Sequence, residues 1–336
     1  MASRPFSRAL VVLAVGAVVP SPSVLAAPES YTLEEIVVTA QKRAESALDV
    51  PITLTAYSGE DLATLGIEEF DRLSDFVPGL VVQEQSVNNP GFVIRGITSD
   101  SGSAQIAPRV TLYQDGVDIS RSRGSIVELF DLERVEVLKG PQATLFGQSA
   151  AIGAISVISA RPTDAFEASV TGALGNYDHY RFAGHVSGPL LEGVLRGRLA
   201  WTAKRREGFI DNVDGVPGSR DPRAGDAGEL NGTDTRAIRG ILNWTPNEAL
   251  AVDLIVNYQE DSPPGTSFKS GTLPTAFGST DANEAAELGP TGIDASAWLG
   301  GDLGIDREVW GVTLIGDYTL NDAWALQLTS AYRTFE

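Results

Sequence analysis

Two histidines, His179 and His185, and no cysteine are a thin stock for side-chain chemistry in a chain of 336 residues. Without cysteine there is no disulfide framework, thiolate metal site or Cys nucleophile. Two histidines supply poorly either a His-rich zinc site or a Ser-His-Asp arrangement. Gly147-Gln148-Ser149 fails as a nucleophile elbow, because Ala151 stands where the second glycine is required. No GxGxxG fingerprint or phosphate loop occurs. Asp211-Asn212-Val213-Asp214-Gly215 places oxygen ligands as a cation site would, but hairpin loops carry the same residues, and the loop reading is preferred. His185 falls on the inner face of a predicted strand and His179 at a strand tip, where a haem or a metal would be reached. These residues point away from an enzyme, and none of them calls for a cofactor.

What remains with functional potential is a short strand and a charge group. Glu34 to Arg43 reads EEIVVTAQKR. Its centre, Ile36-Val37-Val38-Thr39, is β-prone, flanked by charges and preceded by Pro28-Glu29-Ser30. It is either an ordinary first strand or a detachable one that adds to the edge of a partner's sheet, where main-chain hydrogen bonds provide the affinity. Farther on, Arg95, Glu133, Arg134, Glu136 and Lys139 concentrate charge in a region otherwise patterned as a core. Unpaired buried charge is costly, so these side chains are expected either to pair with inward-facing charges of a surrounding wall or to lie in a wet interior.

The elements that must position them form a compact α+β unit over residues 45–162. Ile52 to Ala56 is a strand candidate. Ser58 is placed to cap a helix running to Leu65, with Asp61 three residues on and Gly66 as the stop. A second helix is expected over Glu68 to Phe76, ended by Pro78-Gly79. Short strands follow at Leu80–Val82, Phe92–Ile94, Val110–Tyr113, Arg134–Leu138 and Ala154–Ile158, separated by Gly, Pro and Asp clusters. Gly96 after Arg95, Gly116 after Asp115, and Gly140-Pro141 after Lys139 mark turns that need φ > 0 or a close backbone approach.

In order and spacing, EEIVVTAQKR, VPGL, FVIRGI, YQDGVDI, ERVEVLKGPQATLFGQ and GAISVIS resemble the TonB-dependent receptors over Glu34 to about Pro162. The resemblance implies that Glu35, Ile36, Val37, Val38, Thr39 and Ala40 form the TonB box, the partner-binding strand. It also implies that the domain after it is the plug of a barrel, with Arg95, Gly96, Asp115, Gly116, Glu133, Arg134, Glu136, Lys139, Gly140, Pro141, Gly147 and Gly153 as its motif residues. Three positions depart from the usual pattern: Gln114 before Asp115, where a small or apolar residue is frequent, and Ala143 and Gln148, where Gly and Arg are common.

From Phe166 the pattern becomes strict alternation. Phe166-Ala168-Val170-Gly172-Leu174 takes one face and Glu167, Ser169 and Thr171 the other. Six more runs of about ten residues follow, at 180–187, 195–202, 238–244, 250–259, 310–318 and 324–333. That is the length at which a tilted strand crosses a bilayer. Aromatic residues (Trp201, Trp244, Tyr258, Trp310, Tyr318, Trp324 and Tyr332) sit near the ends of the apolar faces, as interfacial girdles do. A soluble β-sandwich alternates in the same way, but the connections separate the two readings. Gly188–Gly193, Thr245–Glu248 and Leu320–Asp322 are short, whereas Lys204–Asp234 and Asp261–Ile305 are long and polar, the outer-membrane pattern. Seven strands are read against the roughly 22 of plugged barrels, so the sequence is expected to be the N-terminal part of an antiparallel transmembrane β-barrel with its plug.

The chain ends fit this reading. Arg4 and Arg8, the apolar run Ala9–Val19, Pro20 and the small residues Val24-Leu25-Ala26-Ala27 make residues 1–27 a signal peptide, whose apolar run is too short to span a bilayer. Residues 28–44 then hold the TonB box and a linker, 45–162 the plug and 163–336 barrel strands. The formal net charge of −19 and the lack of a basic stripe exclude nucleic acid as a partner. The function implied by the resemblance is energy-coupled import of a scarce ligand, such as a ferric siderophore or another large nutrient. The expected partners are TonB, outer-membrane lipid and the small-molecule chelate, and the expected location is the outer membrane of a Gram-negative bacterium. The competing reading is a passive porin or a structural barrel protein, which needs neither coupling strand nor plug.

Overall fold

The computed structural model describes residues 37–39, 45–84, 90–98, 109–120, 124–147, 150–211, 229–264 and 305–336. The expected signal peptide lies outside the described residues, as do Glu35, Ile36, Ala40, Gln148 and most of the two long connections.

The first unit holds β1 (Val37–Val38), β2 (Glu45–Ser46), β3 (Thr53–Ser58), α1 (Gly59–Leu65), α2 (Phe70–Phe76), β4 (Leu80–Glu84), β5 (Pro90–Ile94), β6 (Ile97–Thr98), β7 (Val110–Gln114), β8 (Val117–Asp118), β9 (Leu132–Lys139), α3 (Ala143–Phe146) and β10 (Gly153–Ser159). Its main sheet runs β3-β9-β10-β7-β8. β10 pairs parallel to β7, and the other neighbours are antiparallel. Ser58 caps α1 in a reciprocal capping box with Asp61, and Gly66 closes the helix at φ 66°, ψ 33°, so local sequence alone sets both ends of this helix. The second helix starts later than expected. Glu69 is its N-cap in extended conformation, which leaves Glu68 and Glu69 outside the helix. Phe70 and Leu73 are buried against Ile94, Leu112 and Val137 in the core between helices and sheet, and Phe70 meets Phe92 edge-to-face at 5.9 Å.

The second unit is one antiparallel sheet of β11 (Glu167–Leu174), β12 (Tyr180–Leu191), β13 (Leu195–Arg206), β16 (Thr233–Asn247), β17 (Leu250–Asp261), β18 (Arg307–Asn321) and β19 (Trp324–Phe335), joined in that order. A two-residue ladder of β14 (Ile210–Asp211) and β15 (Glu229–Leu230) extends the β13–β16 connection. Four of the seven wall strands have 12 residues and two have 15. The expected loop starts at Lys204 and Asp261 are therefore still strand. The alternation divides the sheet as its pattern requires. Phe182, Leu199, Ile238, Leu242, Val256, Leu314, Leu326 and Leu328 are exposed on one face, while Arg198, Thr202, Arg239, Ile241, Ile255, Arg307 and Ile315 are buried on the other. Leu254, Leu314 and Leu326 are absent from the buried clusters, so this is not half of a sandwich. No helix among the described residues is long and apolar enough to cross a membrane.

Candidate functional site

The short N-terminal strand β1 is docked on the plug. β1 pairs antiparallel with β2, Val37 opposite Ser46 and Val38 opposite Glu45. Alternation turns Val38 inward, fully buried among Val50, Tyr113, Leu138, Phe146, Ala150 and Ala154, while Val37 is 49% exposed. Beyond the ladder, the Thr39 amide donates to Glu136 Oε1 at 2.8 Å and the Thr39 hydroxyl donates to the same oxygen at 3.2 Å. Arg134 completes the cluster. Its Nε donates to Glu136 Oε1 at 2.8 Å and its Nη2 to the Thr39 hydroxyl at 3.2 Å, and its Nη1 pairs with Glu133. Glu136 is 1% exposed.

The other motif residues shape the plug around this cluster. Arg95-Gly96 and Asp115-Gly116 are two-residue hairpin turns with φ of 53° and 78°, and 49° and 81°. Both central residues lie at positive φ, which is why glycine stands second in each. The Asp115 carboxylate accepts from the Ser159 amide at 3.0 Å and the Ser159 hydroxyl at 2.7 Å, pinning β7 to the end of β10. Arg95 donates to the Thr53 hydroxyl at 3.0 Å. The Lys139 ammonium donates to the Thr55 hydroxyl at 2.9 Å and the Pro78 carbonyl at 3.1 Å, and burial together with nearby Arg95 holds its pKa below the usual lysine range. Gly140 donates to the Ile152 carbonyl, Pro141 leads into α3, and Gly147 ends that helix at φ 79°. Gly153 lies where a Cβ would come within 2.5 Å of the Leu138 carbonyl oxygen.

The expectation that this charge group pairs with the wall is corrected. Glu133, Arg134, Glu136 and Lys139 find their partners inside the plug, because β9 runs through the middle of its sheet and not along its rim, and Arg95, in the turn between β5 and β6, reaches Thr53 of β3. The wall is met by plug residues outside that charge group. The Lys204 ammonium lies 2.6 Å from Glu69 and 2.9 Å from Glu128, and Arg181 lies 2.7 Å from Glu68. Arg198 forks onto Asp131, with Nε to Oδ2 at 2.8 Å, and reaches Glu167 at 2.6 Å. Arg239 donates to the Phe130 carbonyl at 3.1 Å and covers the Phe130 ring at 4.5 Å. Arg307 donates to the Ile126 carbonyl at 3.0 Å while paired with Asp261 at 2.6 Å. Arg333 donates to the Gly124 carbonyl. A single plug segment, residues 124–131, is thus held by cations from β13, β16, β18 and β19. His185 does point inward, 3.5 Å from Asp131 and 3.6 Å from Glu167, the two carboxylates that Arg198 already binds.

Two carboxylates share Lys204 and shift in opposite directions. Glu128 is buried, and the loss of solvent drives its pKa up despite Lys204. Glu69 keeps some solvent, and the attraction of Lys204 dominates and lowers it. The sequence signal for this interface was the occasional arginine or lysine at inward-facing strand positions, as at Arg196, Arg198 and Arg239. The plug side carried no pattern beyond an unremarkable Ser125–Asp131 stretch.

Comparison with known proteins agrees with this geometry. Residues 46–154 match the TonB-dependent Receptor Plug Domain family. The pesticin receptor of Yersinia pestis is 34% identical over 191 residues, 55% of this chain and 27% of that protein. The ferripyoverdine receptor of Pseudomonas aeruginosa is 24% identical over 271 residues, 80% of this chain and 30% of that protein. Among solved structures, the ferric yersiniabactin uptake receptor of Yersinia pestis superposes with a TM-score of 0.66 at 25% identity, covering 84% of this chain and 41% of that one. The chain therefore spans between about a quarter and two fifths of the length of these relatives. Residues 46–154 are thus a TonB-dependent receptor plug domain, seated against a sheet of antiparallel strands, and over most of its length the chain resembles the solved outer-membrane uptake receptor of Yersinia pestis.

Proposed function

We propose that the protein takes part in energy-coupled import of a large, scarce ligand across the outer membrane of a Gram-negative bacterium, with TonB as the partner that engages residues 35–40. The observation that carries this reading is the placement of β1. A two-residue strand held by one buried valine and one polar cluster is a small attachment that a pull can release, and the Glu136 side chain links it to β9 of the plug sheet. A passive pore has no use for such a strand or for a plug fixed to its wall. A metal chelate is the ligand class favoured by the relatives, whose names are those of siderophore and pesticin receptors. Nanomolar binding, about −12 kcal/mol, makes spontaneous release slow, so transport needs work delivered through the plug.

The test is Val37→Pro in the full-length receptor. Proline removes a main-chain donor and forbids a regular ladder, so uptake is expected to stop while ligand binding at the cell surface persists. Unchanged uptake removes the coupling role. Faster passive flux after deletion of residues 34–161, with uptake intact, favours the porin reading.

A further inference from the structure

The outer face of the wall is not flush. Outward positions of β12, β13 and β16 are taken by Gly188, Gly197 and Gly240, and the register brings them together. Gly188 lies opposite Gly197, Gly197 opposite Leu242, and Gly240 opposite Leu199 and Val256. With no side chain at three neighbouring points, the surface sinks into an oblique groove of about 460 Å³, along which Leu199, Leu242, Leu254 and Val256 stand. Its polar neighbours are turned to other partners. The Ser187 hydroxyl accepts from Thr163, and the Arg198 guanidinium faces the plug at Asp131. A Cβ built on Gly240 meets nothing within 4 Å, so the floor there is open space and not filled by a neighbour.

The height of the groove on the wall indicates what fills it. Trp201, Ile238, Tyr258 and Trp310 lie opposite one another in successive strands and form an upper row. Trp244, opposite Leu195 and Val252, marks a lower one. Gly197 and Gly240 fall between these rows, in the band of hydrocarbon that aromatic girdles bracket. Resting on the outer-membrane reading above, we propose that the groove binds one acyl chain of a phospholipid from the periplasmic leaflet. It runs down to Gly188, Pro189 and Leu190, beside the short connections that mark the periplasmic side of such a wall, and the chain enters from there. Moving from one hydrocarbon contact to another brings no hydrophobic gain. What holds the chain is dispersion, because in the groove it touches wall atoms on several sides and on a flush surface only on one. A protein partner would bring polar groups that find no counterpart along this groove.

The test uses the full-length receptor in vesicles of phosphatidylethanolamine and phosphatidylglycerol, with a trace of phosphatidylethanolamine bearing a photoactivatable diazirine on one acyl chain. Leu199, Leu242 and Val256 are 43%, 41% and 44% exposed, and Leu314, outside the groove, is 44% exposed. Fluid lipid therefore labels all four equally, whereas an ordered chain labels the first three severalfold more than Leu314. Gly240→Leu fills the floor without a clash. It should bring labelling at Leu199 and Val256 down to the Leu314 level and remove a phospholipid that the parent retains in native mass spectra. Gly316→Leu, at another outward glycine with nothing within 4 Å, should change neither. If Gly240→Leu does not insert, Gly240→Ala is read in its place, with a partial loss. Equal labelling of all four positions in the parent, or parental labelling in Gly240→Leu, overturns the site and leaves the outer-membrane reading standing. Enrichment from a lipid A probe in place of the phospholipid one, or a dimer that Gly240→Leu disperses, gives the groove another occupant and overturns the proposal too. Absence of label at all four positions, Leu314 included, sinks the outer-membrane reading itself.

Discussion

Lys204 of the barrel wall reaches the plug at Glu128, Nζ to Oε2 at 2.9 Å, with 7% and 6% of the two side chains exposed. Glu69 lies on its other side at 2.6 Å. One cation thus bridges two plug carboxylates from different parts of the domain, the N-cap of α2 and the 124–131 segment. Breaking a buried pair by removing one partner costs far more than replacing the whole group.

Lys204→Met is accordingly expected to loosen the plug against the wall by about 3–5 kcal/mol, measured as a lower urea midpoint for plug release in the full-length receptor. Adding Glu128→Leu to Lys204→Met should recover most of the loss, because the uncompensated charge is then gone. A single variant as stable as the parent contradicts the assigned pairing.

The pH dependence follows from the two shifts. Glu128 has a raised pKa in the folded state, so between the ordinary glutamate value of about 4.3 and the shifted value the folded protein binds more protons than the unfolded chain. Stability therefore falls as pH rises through that window. Glu69 is lowered, and its contribution is present above the ordinary value and is lost as pH falls through the lowered one. Glu128→Gln should abolish the decline on the high side of pH 4.3 and leave the acid-side loss, read from thermal unfolding across a pH series.

Glycine substitutions should separate two physical causes. A Cβ at Gly153 meets the Leu138 carbonyl oxygen at 2.5 Å and Ile94 Cδ1 at 2.7 Å, and Gly153→Ala is expected to destabilise the plug by about 1–3 kcal/mol through overpacking. Gly116 has open space around it but a φ of 81°, so Gly116→Ala carries only the left-handed penalty of about 1–2 kcal/mol. Chemical denaturation of both variants should rank Gly153→Ala as the worse.

Facing decides the fate of charges on the wall. Leu314 is 44% exposed on the outer face opposite Leu254. Leu314→Arg is expected to cost about 2–4 kcal/mol if the position lies near the bilayer midplane. Gln327 donates to Asp317 on the inner face, and Gln327→Arg should be nearly neutral. Folding titrations in lipid vesicles measure both. Equal costs would mean that the outer face does not meet hydrocarbon.

Period and punctuation in the chain determined a great deal here. The seven wall strands, the inward and outward faces, the capping box of α1 and the two tight turns at Arg95-Gly96 and Asp115-Gly116 all follow from neighbours a few residues apart. A period of two, a Ser58–Asp61 spacing and a glycine at positive φ are local facts, and local sequence states them. Tertiary structure decided who meets whom. Glu136 and Thr39 are 97 residues apart, and Glu69 and Lys204 are 135 apart. Nothing in the linear pattern distinguishes a carboxylate that will sit in the plug's central strand from one on its rim. Pairing of charges depends on which side chains share a low-dielectric space, and that space exists only once the sheets have closed around it.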